Sequence, residues 1–438
     1  MLKHGRITDW CCAIKTEFFP IDPETLGIEL DSSASANAAF NYGRTQGGIG
    51  GSIRAVLGGV DVPPVIRINT AVTEQTLREL TAQIEIPPTN AGVQFVNGSI
   101  EPRPAADGRA LDLSRTLAPL ENNAAEALAD GEIELVMFPI QPQITDPAPI
   151  VAAASALLAN PLEIRAYDPV SDDTDYWTLM PDTWVEWLTA VTDPNQPLGL
   201  ALSLDDSSVR GYLRNKQAEL GESRYIDLDE SVDALQNAIS RSRTTAYVRV
   251  YHRDVEHVVQ PGETIISIAY DYGIPYPYVQ EANGGIESVS VGQTIRLPSH
   301  DVMLPLPIVY DKRIVVSISE QRVRVYEDGD LKWDWIASTG IQSSPTWPGI
   351  YQIISHEPNA YAANWDLWMP NFMGVYRPIP GSDFTNGFHG FPTRGGSQLL
   401  WTNSLGTRVT YGCILLSNEN IRTLYEWAEE GVVVEIQP

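Results

Sequence analysis

The sequence is poor in cysteine, in basic residues and in long apolar runs. Its 438 residues contain three cysteines, Cys11, Cys12 and Cys413, and because adjacent cysteines rarely pair we expect no disulfide framework. Lysine and arginine total 29 against 56 aspartates and glutamates, and the net charge of −27 argues against nucleic acid as a partner. No run approaches the roughly 18 to 20 apolar residues of a membrane helix, so we predict no membrane segment in the given chain.

Motifs for metal ions, phosphates and organic cofactors are also missing. No cysteine and histidine cluster has metal-ligand spacing, and no glycine-rich phosphate loop occurs, so we predict neither a metal nor a cofactor. Turn-forming residues are abundant, with 33 glycines and 32 prolines beside 43% hydrophobic residues. This composition excludes a coiled coil and indicates roughly two to four domains rich in short strands.

The first 250 residues contain a gapless duplication at an offset of 115 positions. In each copy an Asp-Leu pair, Asp112-Leu113 or Asp227-Leu228, opens a helix with apolar spacing of three and four. A strand of alternating apolar residues follows in both copies. The duplicated pattern therefore predicts strand–helix–strand twice.

We interpret the copies as α+β modules over residues 14–146 and 147–254, the first with a hairpin at the turn pair Asn97-Gly98. Neither module carries residues that suggest chemistry, so both are interpreted as binding or spacer modules. The segments Leu26 to Asp31 (LGIELD) and Ala38 to Arg44 (AAFNYGR) resemble the tandem peptidoglycan-binding domain that often precedes cell-wall transpeptidase domains.

Residues 255–299 read as a small βααβ unit in which turn residues separate two short strands from two short helices. We predict a strand from Val258, a helix capped by Thr264, a second helix opened at its first position by Pro277, and a strand over Thr294 to Leu297. The unit closely resembles a LysM domain, whose V-x-x-G-E-T beginning and V-G-Q-x-I-x-L-P end it shares.

The LysM resemblance implies binding to the N-acetylglucosamine-containing glycan of peptidoglycan or chitin. It assigns sugar binding to two loops, which comprise Gly262, Glu263, Thr264, Ile265, Asn283, Gly284 and Gly285. Turns of these kinds also need such residues for backbone reasons alone, so a purely structural role is the alternative.

From residue 308 to 438 the pattern changes to short alternating strands, with Asp328-Gly329 as one hairpin turn. The predicted elements are strands over Arg313 to Ile318, Arg322 to Tyr326, Leu331 to Ser338 and Ile350 to Ile354, and one helix near Glu419 to Ala428. This density of strands predicts a mainly-β, β-sandwich-like domain. The whole chain is therefore predicted to be multidomain, with two α+β modules, the βααβ unit and this domain.

The C-terminal domain contains one cysteine, Cys413, and one histidine in an HG turn, His389-Gly390. A cysteine nucleophile needs a base near it to become a thiolate at neutral pH, and backbone N–H groups to hold an oxyanion. Residue types alone leave an inert buried cysteine as the alternative.

Residues 312–438 resemble the YkuD-type L,D-transpeptidase catalytic domain, through STG at Ser338, FHGFP at Phe388 and TYGC at Thr410. The resemblance implies that Cys413 is the nucleophile and His389 the proton acceptor. Supporting positions implied in the same way are Thr410, Tyr411, Gly412 and Gly390. The implied reaction is attack on a tetrapeptide stem with loss of D-Ala, followed by transfer of the acyl group to an amine.

Two positions depart from the family pattern, because Tyr411 replaces a histidine and Leu415 replaces an arginine or asparagine. Tyrosine cannot carry the positive charge that would stabilise a thiolate. The alternatives are a non-catalytic wall-binding protein and an L,D-carboxypeptidase, which uses water as acceptor. Expected partners are peptidoglycan stem peptides and glycan strands. Such substrates imply an extracytoplasmic location in the cell envelope, and we expect an export segment upstream of Met1.

Overall fold

A computed structural model of the chain describes residues 10–14, 17–45, 53, 61–96, 99–196 and 199–438. It divides into one unit formed by Met1–Ala152 with Ala190–Ala201 and another formed by Ala153–Thr189 with Leu202–Pro438. The turn pair Asn97-Gly98 and the cysteine side chains at 11 and 12 lie outside the described parts. No helix in the described ranges is long and apolar enough to cross a membrane.

The first unit combines short sheets with helices around a core that includes Leu26, Leu77 and Leu117. A three-stranded sheet has the order β2-β1-β8, and three two-stranded sheets pair β3 with β4, β5 with β6 and β7 with β9. The elements are β1 (Trp10–Ile14), β2 (Glu17–Ile21), β3 (Ile28–Leu30), α1 (Ser32–Thr45), β4 (Ile66–Ile68), α2 (Thr70–Ile84), β5 (Gly92–Val96), β6 (Ser99–Arg103), β7 (Gly108–Leu111), α3 (Leu113–Ala127), β8 (Glu132–Glu134) and β9 (Met137–Ile140).

The chain continues into a four-stranded sheet of order β11-β10-β15-β14, in which β10 and β15 are parallel. The elements are α4 (Ala148–Leu157), β10 (Leu162–Asp168), β11 (Asp173–Leu179), α5 (Pro181–Trp184), β12 (Leu188–Thr192), β13 (Leu200–Leu204), α6 (Asp206–Glu219), β14 (Arg224–Ile226), α7 (Leu228–Ser240) and β15 (Thr245–His252).

The predicted strand–helix–strand is confirmed in both copies, as β7-α3-β8 and as β14-α7-β15. Asp112 and Asp227 cap the two helices, because their side chains accept hydrogen bonds from first-turn backbone N–H groups. The copies differ in strand pairing. In the second copy β14 pairs directly with β15, whereas β7 pairs with β9 and β8 pairs with β1.

The βααβ order of the LysM-like unit is confirmed, as β16 (Val255–Val258), α8 (Ile265–Tyr272), α9 (Tyr276–Ala282) and β17 (Thr294–Leu297). Thr264 caps α8 as predicted, through a reciprocal pair of hydrogen bonds with Ser267. The prediction that Pro277 opens the second helix is wrong by one residue. Proline is tolerated at the second helical position as well, because first-turn N–H groups have no intrahelical partner. The first strand begins at Val255, ahead of the predicted Val258.

The LysM-like unit and the C-terminal domain share one hydrophobic core. The indole of Trp347 contacts both Tyr270 and Tyr276, with ring centroids 5.9 and 5.8 Å away. Gly349 approaches Gly273 so closely that a Cβ on Gly349 would lie 2.2 Å from the Gly273 carbonyl oxygen. The contact therefore requires glycine at 349, and the two parts are packed together rather than linked by a tether.

The C-terminal domain is mainly β, as predicted, with one sheet of order β20-β19-β18-β28-β21 and a second of order β26-β25-β23-β24-β27 in which β22 also pairs with β23. Its elements are β18 (Val309–Ser317), β19 (Arg322–Glu327), β20 (Asp330–Ile336), β21 (Gly349–Gln352), β22 (Ser355–Ala362), β23 (Leu367–Tyr376), β24 (Asn386–His389), β25 (Thr393–Arg394), β26 (Ser397–Gln398), β27 (Ile414–Leu415), α10 (Asn418–Trp427) and β28 (Val432–Gln437). The four predicted strands and the predicted helix are confirmed within a few residues.

Candidate active site

Parallel pairing of β24 with β27 brings the predicted nucleophile and base into the same part of the second sheet. His389 ends β24, and Cys413 directly precedes β27, with Phe388 opposite Ile414 in the register. Both side chains line a cavity of about 830 Å³, a volume that includes space open to solvent. The cavity is lined by Ala362, Trp365, Leu367, Met369, Phe384, Thr385, His389, Pro392, Arg394, Leu399, Leu400, Val409, Thr410, Tyr411 and Cys413.

His389 is only 4% exposed, and its Nδ1–H donates to the Gly390 carbonyl oxygen at 2.7 Å. Burial lowers the pKa of this imidazole to about 4, against the smaller raising effect of that carbonyl. The ring is therefore neutral near pH 7, with its proton on Nδ1. The lone pair of Nε2 is then free to accept a proton.

The Cys413 thiol is also neutral at rest. Burial raises its pKa to about 11, and the Gly387 backbone, which hydrogen-bonds the sulfur, acts in the opposite direction. The thiol donates to Asn386 Oδ1 at 3.6 Å. The pair is therefore a thiol and a neutral imidazole.

The backbone around the cysteine is held tightly. Gly412 has φ of +107°, and a Cβ there would lie 2.8 Å from Asn386 Nδ2, so the position requires glycine. Thr410 Oγ1 donates to the Cys413 carbonyl at 2.6 Å, and Thr346 Oγ1 donates to the Gly412 carbonyl at 2.9 Å. Two hydroxyls thus fix the turn that presents the sulfur.

The two residues that depart from the family pattern occupy different environments. Tyr411 is 54% exposed at the cavity and stacks on Trp365, with centroids 6.1 Å apart. Leu415 is fully buried, and its backbone pairs with Ser338. The charged lining residue is Arg394, whose guanidinium donates to the Trp365 carbonyl at 2.7 Å and to that of Asp366 at 3.4 Å.

Of the predicted catalytic and supporting residues, Cys413, His389, Thr410 and Tyr411 line one cavity, while Gly412 and Gly390 adjoin it along the chain. The sequence analysis missed Asn386, which contacts the sulfur directly. Asn386 lies three residues before His389 in the sequence, which was the one available hint. No general residue pattern identifies an asparagine at that spacing as functional. Within the described residues, no group of three or more His, Cys, Asp or Glu side chains could hold a metal ion.

Six of the seven predicted glycan-binding residues lie in the loop between β16 and α8 and the loop between α9 and β17, and the seventh, Ile265, is the first residue of α8. Several already have structural roles. Glu263 contacts His257 at 2.7 Å, Ile265 is buried in the core, and the Asn283 amide bonds the backbone of Val279 and Arg296.

The three loop glycines of the LysM-like unit, unlike these side chains, have open space around them. Gly262, Gly284 and Gly285 all have positive φ and open space where a Cβ would be. Backbone groups at these turns are therefore more accessible to a sugar than the side chains of Ile265 and Asn283.

Comparisons with known proteins match three parts of the chain. Family models match residues 311–436 as "L,D-transpeptidase catalytic domain", 257–298 as "LysM domain" and 19–130 as "Putative peptidoglycan binding domain". The "Putative L,D-transpeptidase YkuD" of Bacillus licheniformis is 30% identical over 182 residues, covering 41% of this chain and 97% of that protein. The chain belongs to the YkuD family of L,D-transpeptidases. Its C-terminal part is the YkuD domain, and the βααβ unit is a LysM domain.

Solved structures show weaker similarity. The L,D-transpeptidase from Mycobacterium smegmatis is 20% identical, with 29% of this chain and 59% of that chain covered and a TM-score of 0.25. The Ldtfm–avibactam carbamoyl enzyme is 14% identical, with 66% and 98% covered and a TM-score of 0.27. The chain thus spans somewhat over half of the first structure.

Proposed function

We propose that the protein is a peptidoglycan L,D-transpeptidase in which Cys413 is the nucleophile and His389 is its proton acceptor. The observation that carries this proposal is that both side chains line one cavity while Nδ1 of His389 is committed to the Gly390 carbonyl. The remaining nitrogen, Nε2, is then in the acceptor form that a general base requires.

The proposed reaction has two halves. His389 Nε2 takes the proton from Cys413 Sγ, and the sulfur attacks the carbonyl carbon of the third stem residue. The C–N bond to D-Ala then breaks, and the leaving amine takes the proton back from His389, which leaves a thioester on the enzyme. An acceptor amine attacks the thioester, the C–S bond breaks, and the thiol regains its proton.

We take residues 14–146 and 147–254 as peptidoglycan-binding modules, 255–299 as the glycan-binding domain and 308–438 as the catalytic domain. Anchoring on glycan raises the effective concentration of stems near Cys413. These partners place the protein outside the cytoplasmic membrane, at the cell wall.

Intact-protein mass spectrometry after incubation with a tetrapeptide stem tests the proposal. We expect a mass gain equal to the stem minus D-Ala, and no gain for Cys413→Ala with an unchanged circular dichroism spectrum. An adduct on Cys413→Ala, or no adduct on folded wild type with a free thiol, contradicts the proposal. Addition of an amine acceptor distinguishes transfer, which gives a cross-linked product, from hydrolysis to the tripeptide.

A second candidate is a wall-binding protein without catalytic activity. The neutral thiol favours it, since burial raises the pKa of Cys413 to about 11 and Tyr411, in the same cavity lining, brings no positive charge to lower it. Tight binding to isolated cell walls together with no stem adduct on wild type is its expected signature.

A further inference from the structure

Asn386 is a buried polar side chain that contacts the sulfur of Cys413. It begins β24 and is only 4% exposed. One side of its amide, Oδ1, accepts from Cys413 Sγ at 3.6 Å, and the other side, Nδ2, donates to the Tyr376 hydroxyl at 3.2 Å. The amide therefore bridges the reacting atom and a tyrosine behind it.

The Tyr376 hydroxyl is itself fixed in place. Tyr376 is 2% exposed, and its oxygen accepts from the Trp347 backbone N–H at 3.1 Å. A phenol offers two acceptor lone pairs and one donor. After the bond to Trp347 is made, the hydroxyl can still either accept from an amide nitrogen or donate to an amide oxygen.

We propose that Asn386 is a catalytic residue that stabilises Cys413 in both of its protonation states. In the resting thiol, Oδ1 accepts the S–H hydrogen. Once that proton has moved to His389 Nε2, a half-turn of the amide brings Nδ2 to the thiolate as a donor, and the Tyr376 hydroxyl donates to Oδ1. The amide oxygen and nitrogen are nearly equal in size, so the half-turn preserves the packing.

The need for such a donor follows from the other groups around the sulfur. The titratable and charged side chains that line the cavity with Cys413 are His389, Arg394 and Tyr411. Arg394 donates to backbone carbonyls, and Tyr411 has no positive charge to offer. The Gly387 backbone already hydrogen-bonds the sulfur. A partly buried thiolate is costly, and a neutral amide can supply it with a second donor.

The absence of a side chain at Gly412 makes room for the Asn386 amide. A Cβ on Gly412 would lie 2.8 Å from Asn386 Nδ2, so glycine at this position leaves the space that the amide occupies beside the cysteine. The inference rests on the proposed function, because it takes Cys413 as the nucleophile.

The test is the alkylation rate of Cys413 by iodoacetamide between pH 6 and 9, measured by mass spectrometry on the tryptic peptide of residues 409–422. Asn386→Asp keeps an acceptor oxygen, loses the donor and adds a negative charge, whereas Asn386→Leu loses both hydrogen-bonding groups without adding charge. An increase of one pKa unit lowers the thiolate fraction about tenfold, and the greater nucleophilicity of a more basic thiolate restores part of the rate. We therefore expect both variants to react about threefold more slowly, or slower still.

The matched controls are Asn359→Asp and Asn359→Leu, which make the same changes at an exposed position of β22 in the same sheet. Tyr376→Phe removes the hydroxyl that hydrogen-bonds the Asn386 amide. We expect it to slow alkylation by a smaller factor than the Asn386 variants do. If Asn386→Leu does not fold, as judged by circular dichroism, Asn386→Ala takes its place as the uncharged variant. Folded Asn386→Asp that reacts at the wild-type rate overturns the proposal.

Alkylation uses no stem peptide, so the two proposals fail separately. A wild type that forms no stem adduct, with alkylation that still depends on Asn386, refutes the transpeptidase function and leaves the role of Asn386 toward the thiolate. A wild type that forms the adduct, with alkylation that is insensitive to Asn386, refutes only the role of Asn386 toward the thiolate.

Discussion

Two partly or fully buried histidines of the second unit have pKa values that move in opposite directions. His389 in the cavity has a carbonyl as its partner, and burial lowers its pKa to about 4. His252, at the end of β15, has Asp168 Oδ2 3.1 Å from its Nε2 and Asp301 Oδ2 3.7 Å from its Nδ1. These two carboxylates raise its pKa to about 9 in spite of burial.

Neighbouring charge, rather than burial alone, therefore decides the protonation state of each histidine. The cluster around His252 is ionic, and Asp301 also pairs with Arg249 at 2.8 Å. It holds the sheet of the second copy to the segment around Asp301. Among the described residues, no carboxylate lines the cavity at His389, so this imidazole stays neutral and able to accept a proton.

The largest effect is expected from removing the neutral histidine. His389→Gln should slow stem adduct formation by about 10²- to 10⁴-fold, because the thiol loses its general base. The rate of mass gain with a tetrapeptide stem measures this. His356→Gln is the control, since His356 lies in the same sheet and bonds the Ala428 carbonyl away from the cavity lining. Adduct formation within tenfold of wild type would show that His389 is not the base.

Removing the charged histidine should change stability rather than chemistry. Because folding raises the pKa of His252 from 6.5 to about 9, its stabilising contribution is fully present below pH 6.5 and is lost as the pH rises through about 9. The shift corresponds to about 3 kcal/mol. Urea unfolding at pH 6 and pH 10 should show wild type losing about 3 kcal/mol more than His252→Gln does.

Other titrating groups contribute equally to both proteins in that experiment, so the difference between the two pH dependences isolates His252. Equal pH dependences in wild type and variant would mean that the two carboxylates do not hold this imidazole in its charged form.

The smallest effect is expected from placing an imidazole beside the thiol. Tyr411→His puts a group that is charged at pH 6 into the cavity lining, and we expect the pKa of Cys413 to fall by about one unit. Alkylation of Cys413 should then be severalfold faster at pH 6. Tyr411→Phe is the control for the lost hydroxyl. Equal rates for the two variants would show that position 411 does not influence the sulfur electrostatically.

Local patterns explain what the sequence could predict. Helix caps at Asp112, Asp227 and Thr264 depend on residues three or fewer positions away, and alternating strands carry their own periodicity. The meeting of Cys413 with His389 was predicted from resemblance, not from spacing. Both residues do line one cavity.

Contacts between residues far apart in the chain could not be predicted from the sequence. The bonds from Trp347 to Tyr376 and from Cys413 to Asn386 join residues 29 and 27 positions apart. No local preference of an asparagine or a tyrosine indicates such partners, because only the assembled sheet brings them together. The same holds for the shared core, since the LysM pattern reads as a self-contained small unit.

The contacts of Trp347 with Tyr270 and Tyr276 join the LysM domain and the YkuD domain through one shared core. On a flexible linker, a cysteine would reach substrate side chains over a range of distances from the anchoring point. Here the LysM loops and Cys413 belong to parts that share one hydrophobic core. If the LysM domain holds the glycan as proposed, the separation between its loops and Cys413 decides which stem peptide along the repeating polymer reaches the thiol.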